Sequence, residues 1–166
     1  MTGGGPRFAR DPAELLTPAQ LAELSGRAFL EGIRDGRLPA PPIAEPMGMR
    51  LVEVGDGRVV FEGRPGFSHY NPLGSVHGGW FGTILDSCMA CAVQSRLPKG
   101  QGYTTLEYRV NILRAVTAET GVLRAVGEAV RVGRRTGVAE GRLLDEAGRI
   151  CATGSTTCLV FAIEEA

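Results

Sequence analysis

The stretch GGWFGTILDSCMACAVQS, residues 78–95, reads unlike anything around it. It shows no period-two alternation, is too long for an ordinary strand and is apolar on nearly every side, which marks a buried helix. Outward from it the chain reads mostly as strand. Residues 49–54 and 58–62 form a hairpin around Gly55-Asp56-Gly57. After the helix, Leu106, Tyr108, Val110 and Ile112 alternate with Thr105, Glu107, Arg109 and Asn111, the signature of a half-buried strand. Val122, Val126, Val130 and Val132 share one face of the next strand, and two more, around Gly137 to Leu144 and Ile150 to Phe161, flank the turn at 145–148. One buried helix among about six antiparallel strands predicts an α+β fold, a curled sheet wrapped around a central helix.

Towards the N-terminus the pattern changes. The first dozen residues read as a loose tail. Thr17-Pro18-Ala19-Gln20 then has a capping threonine, a proline at the first helical position and a glutamine completing a capping box. Leu21, Leu24, Phe29, Leu30 and Ile33 supply an apolar stripe, and Asp35-Gly36 ends it. Four prolines between Leu38 and Pro46 make an extended connector. The organisation expected is therefore tail, helix and connector over 1–46, and one folded domain over 47–163.

The composition excludes several classes of protein. The chain has 166 residues and 17.6 kDa, room for one domain and little more. Eighteen basic residues balance eighteen acidic ones, so no global field draws it to nucleic acid or membrane. The basic set holds 17 arginines and only Lys99, a bias that fits either phosphate recognition or a GC-rich genome. There is no apolar signal-peptide region and no uninterrupted apolar span of about 20 residues, so a soluble, cytoplasmic protein is expected. Cys88, Cys91, Cys151 and Cys158 read as packing residues, and with only His69 and His77 no metal site is implied.

Chemistry is expected where the buried helix begins. Asp86 is the only formal charge between Arg64 and Arg96. A carboxylate on an otherwise apolar helix either reaches solvent or an arginine, or it works. The helix is preceded by a polar, glycine-rich loop from Phe67 to Gly79. A helix start presents unpaired N–H groups and a positive dipole end, which suits a carbonyl oxygen gaining charge during attack. Close packing or phosphate binding are the other uses of such a Gly-Gly start, though neither a P-loop nor G-x-G-x-x-G is present.

These residues resemble a family. Asn71-x5-His77-Gly78-Gly79-x6-Asp86, followed by Thr104-Thr105-Leu106-Glu107-Tyr108-Arg109-Val110-Asn111, is similar to the hotdog-fold acyl-CoA thioesterases of the phenylacetate-pathway (PaaI-type) group, over about Pro46 to Phe161. The resemblance implies a hotdog domain that hydrolyses an acyl-CoA thioester, with coenzyme A bound as part of the substrate and no separate cofactor. It implies that Asp86 is general base or nucleophile and that the Gly78 N–H polarises the thioester carbonyl. Asn71 would orient water or substrate, His77 would shape the loop, and Thr105 would supply a hydroxyl near the carboxylate. Other members carry a hydroxyl one turn after the carboxylate, where this chain has Ala90. A hotdog hydratase or dehydratase and a non-catalytic acyl-CoA-binding protein are the alternatives; the first lacks its usual motif order here.

Further residues are expected to bind substrate. Gly79 adjoins the oxyanion donor. Arg134-Arg135-Thr136, in a turn bracketed by Gly133 and Gly137, is either a grip for CoA phosphates or an ordinary basic turn. Trp80, Phe81 and Met89 are either walls of an apolar acyl pocket or core. Gly78 and Asp86 lie eight residues apart, about 12 Å along a helix axis, too far to serve one carbonyl from one straight helix. Two antiparallel copies remove the difficulty. A homodimer with composite sites is expected, Asn71 and Gly78 from one chain and Asp86 and Thr105 from the other, with a tetramer as a dimer of dimers.

Overall fold

The helix read from residues 78–95 is α3, Gly78–Gln94, in a computed structural model that describes residues 7–163. Around it lies one antiparallel sheet made of β1 Met49–Val54, β2 Arg58–Gly63, β3 Gln101–Ile112, β4 Leu123–Val132, β5 Thr136–Leu144 and β6 Ile150–Ala162. The strand order is β1-β2-β4-β5-β6-β3. α3 packs against every strand from β2 to β6, so the sheet curls around it as expected. Trp80, Phe81, Ile84, Leu85, Cys88 and Met89 are all buried and form the centre of the core. At its far end, the Ser95 hydroxyl donates to the Ala92 carbonyl and accepts from the Gly57 N–H. That pair of bonds ties the end of the helix to the β1–β2 turn.

The helix sits very close to the sheet, and this decides which residues of β4 point inward. A Cβ at Gly127 on β4 would collide with the Cys88 carbonyl, and one at Gly141 on β5 would lie 2.7 Å from Met89 Cγ. Only small side chains fit beneath the helix there. The buried face of β4 is therefore Leu123, Ala125 and Gly127, while Val126 is half-buried and Val130 exposed. The shared valine face is thereby broken: Val126 and Val130 lie outside the core, while Val132, beyond a register shift between Ala129 and Arg131, packs against it.

β3 also departs from simple alternation. Its pairing with β6 shifts register between Thr105 and Glu107, so Leu106 is the extra residue of a β-bulge. The bulge brings Thr105 to the helix side along with Tyr108 and Ile112, which lie against Gly82 and Gly78. It also leaves Leu106 exposed.

The single stripe from Leu21 to Ile33 is carried by two helices, α1 Pro18–Ala22 and α2 Gly26–Arg34. The capping box at Thr17 forms as read, and Ser25 caps the second helix by accepting from the Ala28 N–H. Gly26 is pressed onto the Gln94 carbonyl and donates its N–H to Leu97. α2 thus lies on α3 and β1, across the gap between the two free edges of the curled sheet. No helix among the described residues is long and apolar enough to cross a membrane.

Candidate active site

Asp86 is half-buried, and its carboxylate accepts a hydrogen bond from the Thr105 hydroxyl at 3.0 Å. The bulge makes this contact, since without it Thr105 and Tyr108 could not both face α3. Burial pushes the Asp86 carboxyl above its ordinary value, and the Thr105 bond acts the other way by favouring the ionised form. Asp86 and Thr105 open into a recess of about 760 Å³ lined also by Leu21, Leu24 and Phe29 of the N-terminal helices.

The Gly78 end of α3 is built differently. His77 is the N-cap, and its Nδ1 accepts from the Gly79 N–H at 2.9 Å. The backbone N–H of His77 donates to His69, whose own ring accepts from Gly66 and binds the Pro46 carbonyl. Both histidines therefore hold the loop in place. The Gly79 N–H is taken by this cap; the Gly78 N–H has no hydrogen-bond partner among the described residues and is exposed.

Asn71 sits beside that helix start. Its side-chain oxygen accepts from Leu73 and Ser75, and its amide donates to the Ser75 hydroxyl, closing an Asx turn in which Gly74 has a φ of 87°. Asn71 and Gly78 line a recess of about 330 Å³ with Phe81 and Ile112, distinct from the one that holds Asp86. Within one chain the residues of the predicted site thus fall into two groups, one at Thr105 and one at Ile112, seven residues apart along β3.

The remaining candidates divide by burial. Trp80 is only 2% exposed and donates its indole N–H to the Met47 carbonyl, and Met89 is wholly enclosed. Both belong to the core, one of the two alternatives expected for them: Trp80 lies against Gly63 of the sheet and lines neither recess. Arg134, Arg135 and Thr136 are exposed in the β4–β5 turn, and neither arginine makes an ion pair among the described residues. By contrast Arg50, Arg58, Arg124 and Arg142 are engaged with Glu53, Glu62 and Glu128. Cys158 on β6 pairs with Gly137 on one side and Thr105 on the other. The basic turn is therefore about two strand spacings, roughly 10 Å, from the Asp86–Thr105 contact. Burial pushes the Cys88 thiol up and that of Cys91 to about 12, so neither supplies a thiolate near neutral pH.

Three residues at this site escaped sequence reading. Phe29, Gln94 and Tyr103 come together from α2, α3 and β3 to edge the Asp86 recess. No short-range pattern links them; only the docking of α2 does.

A sheet curled around one helix, with a carboxylate in mid-helix and a capped glycine start, is the architecture of a hotdog-fold protein. Residues 73–152 of the chain match the model of the thioesterase superfamily. Among solved structures, a phenylacetic acid degradation-related protein of Ralstonia eutropha is 28% identical, with a TM-score of 0.72 over 79% of this chain and 98% of that one. The phenylacetic acid degradation protein PaaI of Thermus thermophilus is 26% identical, with a TM-score of 0.64 over 71% and 97%. A hypothetical thioesterase protein of Streptococcus pneumoniae, solved with coenzyme A, is 28% identical, with a TM-score of 0.62 over 70% and 88%. A curated protein of Halobacterium salinarum, named for an inferred esterase activity, is 41% identical over 69 residues. That match covers 40% of this chain and 44% of the relative, less than half the length of either.

Proposed function

We propose that the protein hydrolyses acyl-CoA thioesters at sites shared between two copies of the chain. The observation that carries this reading is the Asp86–Thr105 contact at 3.0 Å, opposite in the fold to an unpartnered Gly78 N–H. A thioester is already activated towards attack, so a carboxylate, a water molecule and an oxyanion donor are sufficient. With Thr105 bound to Asp86 Oδ1, Oδ2 is left to take a proton from water, or to attack the carbonyl itself. The developing oxyanion is held by Gly78. Its collapse expels the CoA thiolate, which leaves as the thiol once protonated. Water is the only co-reactant, and coenzyme A arrives as part of the substrate. A cytoplasmic location goes with such a substrate.

The dimer follows from β3. This strand ends the sheet, so one of its edges pairs with no other strand among the described residues, and Leu106, Tyr108 and Ile112 are exposed. Thr105 lies in the first half of β3 above Asp86, and Ile112 is its last residue, above Gly78. Two copies pairing β3 antiparallel about the point between Tyr108 and Arg109 would bring Thr105 of one chain opposite Ile112 of the other. The Gly78 and Asn71 end of one helix then stands beside Asp86 of its partner. Leu73, 91% exposed at the tip of the loop, is also covered by such a partner. Pairs of these dimers would form a tetramer.

Steady-state hydrolysis of an acyl-CoA panel tests the reading, and two variants probe its parts. Thr105→Val removes the bond that favours ionised Asp86, so the carboxyl should rise further. The acid limb of the pH–rate profile should move to higher pH, with a lower rate at the old optimum; an unmoved limb would separate Thr105 from the chemistry. The unpaired Arg134 and Arg135 are proposed to hold CoA phosphates. Arg135→Ala should raise KM more than it lowers kcat, and unchanged KM in both arginine variants would remove this turn from the binding site.

A further inference from the structure

A second cavity of about 580 Å³ lies between α2 and the sheet, and it shares Phe29, Gln94 and Tyr103 with the Asp86 recess. These three residues are therefore a partition between the two spaces. On the far side the walls are mostly apolar, with Leu30 and Ile33 of α2, Leu51 of β1 and Phe61 of β2, and with Arg34, Asp35 and Arg50 also lining it. Nearly all of one wall comes from residues 15–44, a segment that precedes the thioesterase match at 73–152. A void of this size and character beside a half-buried carboxylate fits an apolar small molecule.

We infer that this cavity receives the far end of the acyl chain, so that the N-terminal helices, and not the catalytic domain, set which thioesters are accepted. The inference rests on the hydrolase reading above and names its substrate class: straight-chain fatty acyl groups of medium length. The reach follows from the helix. Asp86 and Gln94 are both on α3, about 12 Å apart along its axis, which an acyl chain of roughly ten carbons spans. Short acyl groups end in the Asp86 recess; longer ones pass Phe29 and Tyr103 and exchange water for the apolar walls.

Acyl-CoAs of two to sixteen carbons, assayed with the full chain, test this. kcat/KM should rise about fourfold per added methylene up to roughly ten carbons and then level or fall. Ile33→Trp fills the cavity and should lower the ratio of kcat/KM for decanoyl-CoA to that for butyryl-CoA at least tenfold. Ile33→Ala enlarges it and should move the optimum to longer chains. Opposite shifts from one position are not produced by general damage to the fold, and the ratio is insensitive to a loss of active protein. A wild-type profile flat with chain length, or the same optimum in both variants, would overturn the inference while leaving the hydrolase reading intact. Binding of decanoate, measured by calorimetry on wild type, Asp86→Asn and Ile33→Trp, separates the two ideas. If no thioester is cleaved yet decanoate binds wild type and Asp86→Asn and not Ile33→Trp, the cavity assignment stands and the hydrolase reading falls.

Discussion

Asp86→Asn is expected to lower acyl-CoA hydrolysis by about a hundredfold or more, the scale of a lost general base, and at the same time to make the folded protein more stable at neutral pH. The first effect follows because asparagine keeps the size of the side chain and still accepts from Thr105, but can neither take a proton from water nor act as nucleophile. The second follows from the direction of the Asp86 shift. Burial raises its folded-state pKa above the unfolded value, so the native state binds the proton more readily and is penalised wherever the group is ionised. That penalty is complete above the raised pKa and fades as pH falls to the ordinary carboxylate range. The variant should therefore unfold at higher denaturant concentration near pH 7 and converge with wild type towards pH 4. Near-normal turnover would end the assignment of Asp86. Equal stability at pH 7 would show that its burial carries no cost.

Mixing two inactive proteins is expected to restore activity. Asn71→Ala damages the half-site around Gly78, where its side chain closes the turn through Leu73 and Ser75. Asp86→Asn damages the other half. In a dimer with shared sites, a mixed pair has one site assembled from two intact halves and one from two damaged halves. Random exchange of equal amounts makes half of the dimers mixed, so about a quarter of all sites should be active. The signal is large because each parent starts near zero. If mass spectrometry shows subunit exchange and no activity returns, the two halves do not meet across a dimer.

Most of the architecture could be read from local pattern. α3 announced itself by being apolar all round, and the β1–β2 hairpin and the turn between β5 and β6 by their glycines. Asp86 and its loop were legible for the same reason: a charge where none belongs. Non-local packing was not legible. The bulge at Leu106 places Thr105 over Asp86, yet alternation in the sequence runs through it undisturbed. The valines of β4 share one face by spacing, yet a register shift at Val130 turns Val132 inward, and only glycine fits at 127 because Cys88 lies directly above it. The partition of Phe29, Gln94 and Tyr103 exists only once α2 has docked on α3, so no stretch of sequence holds its signature.

The close seat of α3 on Gly127 and Gly141 bears on how such a protein can diversify. Any added carbon beneath the helix would lift it and shift Asp86 relative to Thr105, so the sheet has few mutational routes to a new substrate that leave the chemistry standing. The helices at residues 18–34 carry no such constraint at their cavity-facing positions. Changes of acyl preference in descendants of this chain should therefore accumulate in its first forty or so residues, while the floor under the helix stays fixed.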